Sequence, residues 1–109
     1  MAKGSNVQIN LSYNKLPFYL NAPDMYRRGE TTGSNRANRK VAEGFFKKNR
    51  ELSREEELLF DPQTSGGLLL SVPSIEADRL VAELKRAGIE TADRVGEVVS
   101  APQPSICIL

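Results

Sequence analysis

Apolar and polar side chains alternate along Val7-Gln8-Ile9-Asn10-Leu11, the period of two expected of a strand with one buried face. Toward the other end, Leu68-Leu69-Leu70-Ser71-Val72 is a short apolar run between Gly67 and Pro73, which predicts a buried strand. Pro73-Ser74 then opens a helix. Ser74 is a good N-cap residue, and Glu76 and Asp78 put negative charge in the first turn, where the helix dipole favours it. Ala77, Leu80, Val81, Leu84 and Ala87 fall on one face of that helix. Lys85 and Arg86 occupy its last turn, Gly88 suits a left-handed C′ position, and Ile89 is placed to fold back. Residues 94–99 read as another strand, so strand, helix and strand predict a right-handed β-α-β crossover. Ala101-Pro102-Gln103-Pro104 is a turn, and Ser105-Ile106-Cys107-Ile108-Leu109 is a final strand.

The first half carries weaker periodicity. Residues 16–28 are expected to be mainly helical, with Pro23 interrupting or restarting the helix. Residues 29–38, with two Gly, two Thr, a Ser and two Asn, have loop chemistry. Residues 36–48 predict a helix with Ala37, Val41, Ala42, Phe45 and Phe46 on one side and Arg36, Arg39, Lys40, Lys47 and Lys48 on the other. Residues 55–59 predict a short helical turn leading into Phe60. No repeat, low-complexity tract or inter-domain linker is present, so residues 1–109 read as one α+β domain.

Composition narrows the chemistry. Leu, Ile, Val and Phe make up about a quarter of the chain, above the roughly 20% below which chains tend to stay disordered. There is no apolar run long enough for a membrane-spanning helix and no signal-peptide pattern at the first residues. With no His and one Cys, a His-dependent triad, an internal disulfide and a Cys/His zinc site are excluded. Cys107, between two Ile, reads as a small packed hydrophobe. The net charge of +1 conceals a split of +7 over residues 1–50 and −6 over residues 51–109. Such a split fits either two complementary surfaces of one fold or a polyanion-binding face.

The densest chemical signal is Asp61-Pro62-Gln63-Thr64-Ser65-Gly66-Gly67. Asp-Pro starts a turn, Gly-Gly frees the backbone, and the amide and hydroxyls between them suit phosphate oxygens or a sugar. The spacing is not that of a P-loop, and the segment opens a strand instead of a helix. A tight turn with solvated hydroxyls is the plainer reading of the same residues.

With its apolar flanks, residues 58–70, this string resembles the DPQTSGG signature of the selenophosphate synthetases, also called selenide, water dikinases. Thr32-Gly33-Ser34-Asn35-Arg36-Ala37-Asn38-Arg39 is similar to the family's Gly-rich stretch ending in Arg-Asn, with Asn35 and Asn38 both candidates for its polar anchor and Asn38 favoured. Residues 87–99 are similar to its closing helix–strand unit. The resemblance covers nearly the whole chain but only the C-terminal third or so of a family member. It implies a fold like the C-terminal domain of the PurM-like (AIR synthetase) superfamily: a mixed β-sheet packed with helices, partly ferredoxin-like. It implies a cytoplasmic, homodimeric enzyme that uses ATP, Mg²⁺, water and selenide to make selenophosphate, AMP and phosphate.

On that resemblance, Gly33, Ser34, Asn38, Asp61, Gln63, Thr64, Ser65, Gly66 and Gly67 face the nucleotide or phosphate intermediates, with Arg36 and Arg39 as cationic contacts. The catalytic loop and metal-holding Asp residues of the family have no counterpart here, so the partner implied is a preceding N-terminal domain. No catalytic residue, metal ligand or bound cofactor is expected in this chain alone, which reads as an inactive fragment. Two alternatives remain. Other PurM-like ATP-dependent enzymes share the architecture but are expected to differ in the 61–67 loop. A nucleic-acid-binding module could use the basic stretch 27–50, which offers only Phe45 and Phe46 for stacking and no RNA motif.

Overall fold

The computed structural model describes residues 1–49, 51 and 53–109. The elements are α1 (Ala2–Ser5), β1 (Gln8–Leu11), α2 (Ala22–Arg27), α3 (Asn35–Ala42), β2 (Phe46–Lys48), α4 (Ser74–Arg86), β3 (Gly96–Val99) and β4 (Ser105–Ile108). Short 3₁₀ segments cover Tyr13–Lys15 and Arg54–Phe60. The strands form one mixed sheet in the order β2-β4-β1-β3. β4 runs parallel to both β1 and β2, whereas β3 pairs antiparallel with β1, Leu11 facing Gly96. The architecture is α+β, as expected. Among the described residues no helix is long and apolar enough to cross a membrane.

Of the two interior strands, β4 carries the most deeply buried side chains. Ile108 and Ser105 are each 1% exposed, and Cys107 is buried beside them as a packed hydrophobe. Ile108 packs with Tyr13, and Leu11, Leu16, Phe18, Phe46, Leu59 and Ile106 close around the pair. Phe46 meets Phe60 edge to face at 5.2 Å, which ties the sheet to the Arg54–Phe60 segment.

Three sequence expectations are corrected. Residues 68–72 form no strand: they run outside the sheet, with Leu68 89% exposed, and no β-α-β crossover is built on them. The place beside β1 belongs to β4, whose alternation of Ser105, Ile106, Cys107 and Ile108 fills it. The helix predicted over 36–48 stops at Ala42. Glu43 turns to extended angles, Gly44 takes φ +82°, and Phe46–Lys48 becomes a strand because β4 offers it a pairing edge. Within residues 16–28 only Ala22–Arg27 is helical. Pro23 sits in the first turn, where its missing N–H costs nothing, and Leu16 and Phe18 pack on Tyr13 instead.

α4 forms where its local signals place it, although Pro73 takes the N-cap position and Ser74 the first helical one. Gly88 adopts φ +94°, and the Ile89 N–H donates to Leu84 O at 3.0 Å. Ala77, Leu80, Val81 and Leu84 are only half-buried and Ala87 is exposed, so this apolar face is incompletely covered.

Candidate functional site

The 61–67 loop rests on a framework assembled from α2, α3 and the Arg54–Phe60 segment. The 29–38 stretch turns into α3 at Ser34, and the next residue, Asn35, is 2% exposed. Its side-chain oxygen accepts from the Thr32 hydroxyl at 2.6 Å and the Thr32 N–H at 3.1 Å, and its amide donates to Glu57 O at 2.5 Å. One turn later the Asn38 amide donates to Phe60 O at 2.8 Å, immediately before Asp61. Both asparagines therefore hold the backbone leading into the loop, and Asn35 is the more deeply engaged of the two.

Charge completes this framework. Arg39 donates to Glu56 at 2.7 Å and pairs with Glu57 at 2.5 Å, while Lys48 reaches the other Glu56 oxygen at 2.5 Å. Burial by itself would raise the pKa of Glu56, but hydrogen bonds from Lys48 and Arg39, with their charges, hold it below its ordinary value. For Arg39 burial acts downward, and its bonds to the two carboxylates carry it upward overall. The Arg39 guanidinium also lies 4.3 Å from the centre of the Phe60 ring. These pairs, with Arg27 3.6 Å from Glu55, join the basic first half to the acidic second half. The charge split is thus expressed as complementary surfaces of one fold.

The loop itself is more open. Asp61 is half-buried, and its two carboxylate oxygens accept from the Tyr26 hydroxyl at 2.5 Å and the Gln63 amide at 2.9 Å. Gln63 folds beneath Gly66, where a Cβ would lie 2.6 Å from Gln63 Oε1. Thr64, Ser65, Gly66 and Gly67 are exposed, as are Gly33 and Ser34. The structure thus joins Asn38, Asp61 and Gln63 in one framework and leaves the hydroxyls and glycines projecting from it. Arg36 is exposed and borders a cavity of about 390 Å³ beside α3, together with Arg39, Lys40, Phe46 and Phe60. No residue of the 61–67 loop lines that cavity.

Sequence reasoning missed Tyr26 and Glu56, which are each 7% exposed. Tyr26 lies within residues 16–28, whose pattern signals only helicity. The run Glu55-Glu56-Glu57 before Phe60 was a usable signal, since three carboxylates beside a buried aromatic require cationic partners.

What the framework supports is recognition by neutral donors. Two hydroxyls and the Gly67 N–H can bind anionic oxygens while leaving their charge largely intact, the Gly66 N–H donating instead to Gln63 O at 3.4 Å. A divalent cation fits less well. Among the described residues no three His, Cys, Asp or Glu side chains come together, and both Asp61 oxygens already accept hydrogen bonds.

The whole length of the chain matches selenide, water dikinases. It is 39% identical over 109 residues to that of Pelobacter propionicus, covering 99% of this chain and 31% of the relative. It is 32% identical to selenide, water dikinase 2 of Peptoclostridium acidaminophilum, covering 100% of this chain and 31% of the relative. Over its whole length the chain is similar to the selenide, water dikinase family. Against the enzyme named in Agathobacter rectalis, identity reaches 56% over 54 residues, half of this chain and 15% of that relative. No protein-family model matches. The chain spans about a third of the length of the selenide, water dikinases it matches first.

Proposed function

We propose that this chain is the C-terminal domain of a selenide, water dikinase, and that its 61–67 loop faces the phosphates of the nucleotide. The reaction consumes ATP, selenide and water and yields selenophosphate, AMP and phosphate. The observation that carries this reading is the Asp61–Gln63–Gly66 turn. It is tied by Asn38, Tyr26 and the Arg39–Glu56–Lys48 cluster, and it presents Thr64, Ser65 and two glycines on its open side.

In this role Thr64, Ser65 and Gly67 donate to phosphate oxygens, joined by Gly33 and Ser34 at the start of α3, while the Gly66 N–H closes the turn on Gln63 O at 3.4 Å. Such donors position a phosphoryl group and stabilise charge that develops as a bond to phosphorus breaks. Arg36 is the better of the two candidate cations, because the Arg39 guanidinium is already bonded to Glu56 and Glu57. The nucleophile and the Mg²⁺ ligands come from a preceding domain. The enzyme is cytoplasmic and works as a homodimer in this reading.

The test is product analysis on the intact protein. AMP and a selenium-coupled phosphorus resonance are expected only when ATP and selenide are both present. AMP formed equally well without selenide, or no AMP at all, would contradict the reading.

A further inference from the structure

Resting on that reading, we propose that Asp61 serves the loop as a bracket and not as a ligand of phosphate or metal, and that Tyr26 of α2 is the positioning residue that orients it. Each oxygen of the carboxylate already has a donor. Oδ1 accepts from the Tyr26 hydroxyl at 2.5 Å and Oδ2 accepts from the Gln63 amide at 2.9 Å. Gln63 in turn lies against Gly66, so a chain of contacts runs from α2 through Asp61 and Gln63 to the glycine pair.

Tyr26 is suited to this task. It is 7% exposed, and Asn35 Oδ1 stands 3.4 Å from its hydroxyl oxygen, which fixes the ring's polar end between two acceptors. A phenol has a single proton to give, and the shorter contact assigns it to Asp61. Burial first, and then the hydrogen bond to Asp61, push the Tyr26 pKa up to about 12, so the group remains a neutral donor throughout the working pH range. A hydrogen bond to an ionised acceptor is about twice as strong as one between neutral groups, and this one is partly buried. Tyr26 lies outside both sequence motifs, yet it makes the shortest side-chain contact to Asp61.

Asparagine distinguishes a bracket from a charge. In Asp61→Asn the remaining carbonyl oxygen still accepts from Tyr26, and the new amide donates to Gln63 once the Gln63 amide flips. Geometry is kept and charge is lost. In Asp61→Ala both are lost.

The experiment compares Tyr26→Phe, Asp61→Asn and Asp61→Ala in the intact protein. Tyr26→Phe is expected to raise KM for ATP about tenfold in selenide-dependent AMP formation, with kcat changed no more than about threefold. Asp61→Asn is expected to recover most of what Asp61→Ala loses. Equal losses in the two Asp61 variants would overturn the bracket, because the carboxylate charge itself would then be in use.

A readout independent of catalysis is the Tyr26 hydroxyl proton by NMR, slowed in exchange by burial. It is expected at the same downfield position in the parent protein and in Asp61→Asn, and shifted upfield or lost in Asp61→Ala, where only Asn35 Oδ1 at 3.4 Å remains to accept it. Its absence from the parent, or an unchanged shift in Asp61→Ala, would also overturn the proposal. If the parent protein makes no AMP, the dikinase reading fails while the hydroxyl proton still decides the bracket.

Discussion

Gly96→Ala is expected to lower the midpoint of thermal unfolding by about 15 °C, corresponding to about 3 kcal/mol for a domain of this size. Gly96 stands opposite Leu11 in the antiparallel β1–β3 pair. A Cβ there would lie 2.0 Å from Asn10 O, 3.0 Å from the Asn10 carbonyl carbon and 3.2 Å from the Leu11 Cα. All three are backbone atoms of the neighbouring strand, so no side chain can swing aside. The methyl must push β3 off β1, which sacrifices the ladder and exposes Ile9, buried at 7% exposure. Gly4→Ala is the matched control, because nothing lies within 4 Å of its Cβ position. A Gly96→Ala protein melting within 2–3 °C of the parent, roughly half a kcal/mol, would show that β3 does not pair as described.

The second large effect is expected at Glu56. Removing it in Glu56→Ala leaves Arg39 and Lys48 without the carboxylate that both contact. Breaking a fully buried ion pair costs about 3–5 kcal/mol. Here the Arg39 and Lys48 side chains are 41% and 39% exposed, so water compensates in part and about 2 kcal/mol is expected.

The pH dependence has a definite sign. The Glu56 pKa is lowered in the fold, so the unfolded chain takes up the proton first as pH falls. Its stabilising contribution is complete above the ordinary carboxylate pKa of about 4.3 and disappears as the pH drops through the lowered value. The gap in melting temperature between parent and Glu56→Ala should therefore be constant from about pH 6 to pH 8 and should close below about pH 4. A gap that widened on acidification would contradict the ion cluster.

Several elements were legible because local signals agreed. Alternation in residues 7–11 became β1, and the first-turn acids, apolar face and Gly88 of residues 74–88 became α4 with its left-handed end. Asp61-Pro62-Gln63 and Gly66 predicted a turn, and a turn formed around the Gln63 side chain. The misses share a physical cause. Residues 68–72 and 105–108 are both short apolar runs, and pattern alone cannot tell which will take the place beside β1. That choice depends on pairing with β1 and β2 across long stretches of chain. The end of α3 was misplaced for the same reason, since β2 exists only because β4 is there to receive it.

At the site, the loop was readable and its supports were not. Asn35 and Asn38 carried a motif, but their partners are backbone oxygens of Glu57 and Phe60, which no side-chain pattern announces. Tyr26 reaches Asp61 across 35 positions. Arg39, expected as a cationic contact, pairs with Glu56 and Glu57 from the acidic half, carboxylates whose approach no local pattern announces.

Contact of the open side of the 61–67 loop with the nucleotide is the proposal on which the functional reading rests. It is tested most directly by Thr64→Ala/Ser65→Ala in the intact protein, with initial rates of selenide-dependent AMP formation measured over a range of ATP concentrations. Both residues are exposed, so the fold should tolerate the loss of their hydroxyls. The loss of two hydrogen bonds to phosphate oxygens, each worth about 1 kcal/mol, predicts kcat/KM lower by roughly 10- to 30-fold. Rates indistinguishable from the parent at every ATP concentration would contradict the account and remove the loop from the active site.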